Sequence, residues 1–115
     1  MRLATSVDEG GNSARAWGKA RLVAVADVTD GAIADWQVHA VGWDELHGTG
    51  AHGSHHARIA AFLREHEIDM VVAPHVGDGM LRMLSTMGIS LGSATPGDAQ
   101  ASVLQAAENA ENASS

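Results

Sequence analysis

Cysteine is absent from this chain of 115 residues, and with it go disulfides, thiolate catalysis and cysteine-held iron–sulfur clusters. That absence is the pattern of a cytoplasmic protein. Aromatics are nearly missing too: three Trp, one Phe and no Tyr. Val, Leu, Ile, Met and many Ala must then fill the interior, which favours closely packed layers of helix and sheet. Basic residues are few, seven against fourteen acidic ones, and the resulting formal charge of −7 repels phosphate backbones. Nucleic acid is therefore excluded as a partner. No apolar run approaches the length of a membrane span, and Asp8 follows Met1 too soon for a signal-peptide core. No Ser sits with a His and an acid in a nucleophile turn, and Asp8 lacks convincing carboxylate partners for two-metal nuclease chemistry.

What the chain does have is an orderly succession of apolar segments and turns within one domain. Leu3 to Val7 predicts a first strand, closed by Asp8-Glu9-Gly10-Gly11-Asn12. Arg21 to Val28 predicts a second, and Thr29-Asp30-Gly31-Ala32 carries the Asp-Gly pair of a type I′ hairpin. In strand three, Ile33 to Val41, Trp36, Val38 and Ala40 alternate with Asp35, Gln37 and His39, which places His39 on a solvent face near a sheet edge. Ser54 is suited to cap a helix running to about His66 with Ile59, Phe62 and Leu63 as its buried stripe. Asp69 to Pro74 has the unbroken apolar character of a central parallel strand. Met80, Leu81, Met83, Leu84 and Met87 mark a second helix ended near Gly88, and Ile89 to Leu91 a fifth strand. The last helix is expected from about Ala99 to Ala107. Residues 108–115 lack an apolar face and predict a disordered tail after a domain of residues 1–107.

If strand one pairs with both strands two and four, strands one, three, four and five run the same way and their carboxyl ends share one rim. Open α/β sheets place their ligands there. Asp8, Trp17, Gly18, His75, Gly77 and Thr95 all fall on it. So does the stretch His47-Gly48-Thr49-Gly50-Ala51-His52-Gly53-Ser54-His55-His56, with four of the seven histidines in ten residues. Neutral imidazole is the commonest protein metal ligand, and flexible glycines can wrap several around one ion. His47, His52, His55, His56 and His75 are accordingly the candidate metal ligands. Asp8, Trp17, Gly18, Gly77 and Thr95 are the candidate cofactor contacts, Gly77 and Thr95 because they place backbone N–H groups at helix starts. The Met80, Met83, Met87 series is expected to be core.

Several segments, in this order and spacing, resemble the dinitrogenase iron–molybdenum cofactor biosynthesis family. They are Asp8-Glu9-Gly10-Gly11, Trp17-Gly18-Lys19-Ala20, Val28-Thr29-Asp30-Gly31, Asp69-Met70-Val71-Val72-Ala73 with Val76-Gly77, Met87-Gly88-Ile89 and Ala94-Thr95-Pro96-Gly97. The resemblance covers residues 1 to about 107. It implies a ribonuclease H-like three-layer α/β fold, a mixed five-stranded sheet of order 3-2-1-4-5 with about three helices. It also implies a role in carrying or inserting iron–molybdenum cofactor or its precursors, with a partner protein in cofactor assembly. Where the family usually has His-Phe before the strand-two glycine, this chain has Ala16-Trp17, so that rim histidine is missing.

The expectation is a non-catalytic cytoplasmic carrier, related to nitrogen fixation by its resemblance, for a metal ion (zinc or iron) or an iron–molybdenum-type cluster. It would act as a monomer or, through the strand-three edge, a homodimer. Two alternatives stand beside it: a metal-independent module binding a protein or anion, and a zinc-dependent hydrolase with an open coordination position.

Overall fold

The β1 strand (Arg2–Val7) lies at the centre of a five-stranded sheet because its residues are buried on both sides: Leu3 faces one helical layer and Ala4 the other. Neighbouring β2 (Leu22–Thr29) runs antiparallel to it and joins β3 (Ala32–Ala40) through Asp30 and Gly31. Both of those residues have positive φ, 53° and 77°, as a type I′ turn requires. On the other side β4 (Met70–Ala73) pairs parallel with β1, and β5 (Ser90–Ser93) parallel with β4. The strand order is β3-β2-β1-β4-β5, the expected mixed sheet. The computed structural model describes residues 1–46 and 52–114.

Helices cover both faces. A single turn, α1 (Trp43–Leu46), precedes α2 (His52–Glu65), and α2 and α3 (Asp78–Thr86) pack on one face through Ile59, Leu63, Met80 and Leu84 against Ala4, Val23, Val25 and Val71. On the opposite face α4 (Ala99–Ser114) buries Val103, Ala106 and Ala107 against Leu3, Ala26, Met70 and Val72. The alternate residues of β4 are thus shared between two cores, which explains its uninterrupted apolar sequence. The helix α3 ends as its sequence predicts, with Gly88 at φ 73° and its N–H donated to the Ser85 carbonyl.

Three differences from the sequence reading have physical causes. Residues 108–114 continue α4 instead of fraying, because Ala110 is half-buried against the second core and the Gln105 amide donates to Asn109 Oδ1 at 3.1 Å. In β3 the partners jump from Asp27↔Asp35 to Val28↔Ile33, leaving Ala34 as a bulge. Ile33 and Trp36 therefore both reach the α4 face. His39 does not face solvent: it is half-buried, its ring edge-on to Phe62 of α2 at 5.7 Å between centroids.

Candidate functional site at the strand-end rim

Since β1, β3, β4 and β5 run the same way, their carboxyl ends, the start of β2 and the beginnings of α2 and α3 lie on one rim. The loop after β1 is held by its own backbone. Asp8 is exposed, and its Oδ1 accepts from the N–H groups of Gly10 and Asn12, each at 2.9 Å. The Asp8 carboxylate therefore builds the turn that the sequence marks as a ligand contact. Ser13 N–H donates to the Gly97 carbonyl at 2.8 Å and Ala99 N–H to the Gly11 carbonyl at 3.0 Å, which fasten this loop to the entrance of α4. Asp98 caps that helix, its Oδ2 accepting from Ala101 N–H at 2.9 Å. Glu9 forms an ion pair with Arg21.

Trp17 is almost wholly buried, at 2% exposure, and so belongs to the core instead of the surface of the rim. Its ring meets Trp43 edge-on at 5.3 Å, and Trp43 meets Phe62 at 5.5 Å, so one aromatic series ties the loop before β2 to α1 and α2. The Trp17 indole N–H is buried without a hydrogen-bond partner among the described residues.

His55, in the first turn of α2, is only 7% exposed. Its Nε2–H donates to the Gly18 carbonyl at 2.6 Å, while Arg58 Nη1 donates to its Nδ1 at 3.2 Å. A carbonyl can only accept and a guanidinium can only donate, so the ring is the neutral Nε2–H tautomer. Both nitrogens are committed within the protein. Gly18 and His55 are thus brought together, as a structural clasp between loop and helix. His56 is half-buried beside α3: a Cβ placed on Gly79 would come within 3.0 Å of His56 Cε1.

The other candidates are spread along the rim. His75 and Thr95 are exposed, and Thr95 N–H donates to the buried Ser102 Oγ at 2.9 Å. Gly77 precedes the first turn of α3 with extended backbone, φ −72° and ψ 165°. His47 lies outside the described residues, and so does the side chain of His52. Among the described residues, no group of three or more His, Asp or Glu side chains could hold a metal ion.

Sequence reasoning missed Trp43, Arg58 and the pair His39 and His66. The ring of His66, at the end of α2, lies 4.5 Å from that of His39 and 4.4 Å from that of Phe62. The spacing Phe62 to His66 puts both on one face of α2, a signal present in the sequence, but the packing of α2 over the β3 face that carries His39 is not. His66 is held below the ordinary histidine value of 6.5, by burial first and by neighbouring His39 next; Glu65 opposes this and Arg2 adds to it.

Comparison with known proteins matches this architecture. The solved structure of PH0822 superposes with a TM-score of 0.71 at 19% identity, over 96% of this chain and 92% of that one. A Thermotoga protein, TM1290, provisionally described as a NifB protein, gives 0.68 at 17% identity over 93% and 87%. A protein of Methanocaldococcus jannaschii, mj0327, provisionally described as a dinitrogenase, gives 0.61 at 13% over 85% and 79%. At such identities these likenesses establish the fold. No curated protein matches. The family model described as dinitrogenase iron-molybdenum cofactor matches residues 1–110, and the chain belongs to that family.

Proposed function

We propose that this protein is a non-catalytic carrier in the assembly of an iron–molybdenum-type cluster, receiving the cluster at the strand-end rim and passing it to a partner protein. The single observation that carries the reading is the placement of His56 against Gly79, where the first turns of α2 and α3 meet on the rim. An imidazole stands there beside backbone N–H groups that favour an anionic cargo. Membership of the dinitrogenase iron-molybdenum cofactor family supports this choice of cargo.

The donor set favours a preformed cluster over a bare zinc or iron ion. A bare ion needs about four protein or water ligands in a closed arrangement. The chain has no cysteine to supply thiolates for such an arrangement. A cluster brings its own bridging atoms and needs only one or two protein ligands plus a surface of matching shape. His56 and His75, with His52 and His47 from the adjoining segment, are the imidazoles proposed for it; Gly77 and Thr95 offer the backbone. His55 and Asp8 shape the site from behind, and Trp17 supports it from the core. Coordination by so few imidazoles releases its cargo readily, as a carrier must. No helix among the described residues is long and apolar enough to cross a membrane.

Untagged protein incubated anaerobically with isolated iron–molybdenum cofactor, then gel-filtered, is expected to retain iron and molybdenum in a fixed ratio to the chain. His56→Ala and His75→Ala are expected to lower that retention, with Zn2+ alone retained far more weakly. Cofactor eluting free of the wild-type chain would overturn the proposal.

A further inference from the structure

The pair His39 and His66 joins the penultimate residue of the edge strand β3 to the residue that follows α2, and it includes none of the rim residues assigned above. We propose that these two imidazoles form a separate metal site, a cis pair for one Cu2+ or Ni2+ ion with water completing its coordination.

The separation of the rings fits that geometry. With metal–nitrogen bonds of about 2.0–2.1 Å, an ion sits about 3.2 Å from each imidazole centroid, so two rings at a right angle about it have centroids about 4.5 Å apart. A tetrahedral angle would require about 5.2 Å by the same construction. The observed separation is 4.5 Å, with the ring planes inclined by 51°. Right-angled nitrogen ligation is the preference of Cu2+ and Ni2+, for which imidazole is a suitable donor.

A second observation is independent of that distance. His39 Nε2 is buried and has no hydrogen-bond partner among the described residues, although buried polar atoms are nearly always satisfied. An ion shared with His66 would supply the missing partner. Phe62 packs edge-on or tilted against both rings and limits their movement. Charge around the pair agrees. Glu65 on α2 favours a cation there. Arg2, reaching in from β1, opposes one, but its Nε donates to the His66 carbonyl at 2.6 Å, which fixes the guanidinium on the backbone side.

Copper titration of the untagged full chain tests this, with glycine present as a weak competitor to suppress looser binding by the 47–56 histidines. One equivalent of Cu2+ is expected to bind with the electron paramagnetic resonance signature of at least two nitrogens. His39→Gln and His66→Gln are each expected to weaken that equivalent by about tenfold or more, while His52→Ala/His56→Ala retains it. Should either Gln variant fail to fold, substoichiometric Cu2+ added to labelled wild-type protein decides. Selective NMR broadening around His39, Phe62 and His66 supports the site, and broadening confined to the rim overturns it. Unchanged affinity in both folded Gln variants would also overturn it.

Discussion

Replacing His55 by Ala separates a clasp from a ligand. The substitution removes the donor to the Gly18 carbonyl and the acceptor for Arg58, and it empties a site that is 7% exposed. A buried acceptor left unsatisfied costs about 1–3 kcal/mol, and the lost packing adds on the order of 1 kcal/mol because the neighbouring side chains relax only in part. A total of about 3 kcal/mol, set against an unfolding entropy of roughly 0.24 kcal/mol/K for a chain of this length, lowers the melting temperature by about 12 °C. Thermal melts followed by circular dichroism measure this directly. His55→Gln, which keeps an amide donor at a shorter reach, is expected to recover part of the loss. In the cluster-retention assay His55→Gln should behave like wild type, whereas His56→Ala should not. A His55→Ala melting temperature within about 2 °C of wild type, with retention lost in His55→Gln, would refute the reasoning and make His55 a ligand.

Other substitutions test the remaining assignments. Trp17→Phe removes an indole N–H that has no partner and keeps most of the ring's contact with Trp43, so stability should stay within about 1 kcal/mol of wild type in urea titration. Trp17→Ala empties the core and should cost about 3–5 kcal/mol. Asp98→Ala removes the cap of α4 and should cost about 1 kcal/mol, read as a lower urea midpoint with an unchanged slope. Because His66 has a lower proton affinity folded than its ordinary value of 6.5, the unfolded chain binds that proton better. Its contribution to stability is therefore full above pH 6.5 and is lost as pH falls from there through the folded value. Urea midpoints at pH 7.5 and 5.5 should differ less in His66→Gln than in wild type.

The sequence by itself determined the elements and their directions. Unbroken apolar character in Met70–Ala73 announced a strand covered on both faces, Asp30-Gly31 the hairpin, and Gly88 the end of α3. Those signals are local, arising from backbone freedom and side-chain period, so they survive without knowledge of neighbours. The shared rim followed from strand direction, and with it the set of residues worth considering.

Only the tertiary structure decided what each of those residues does there. Trp17 looked like a rim aromatic and is core, because Trp43 closes over it and Phe62 in turn packs on Trp43. His55 had the same sequence credentials as His56, yet the carbonyl of Gly18, distant in sequence, takes one of its nitrogens and Arg58 the other. His39 was assigned to solvent by strict alternation, but in the structure its ring lies against Phe62 and His66 of α2. The tail beyond Ala107 stays helical because Ala110 finds the second core, a contact its composition could not reveal. In each case the deciding partner comes from another element or another turn, and a side chain's chemistry is fixed by the partner that satisfies it.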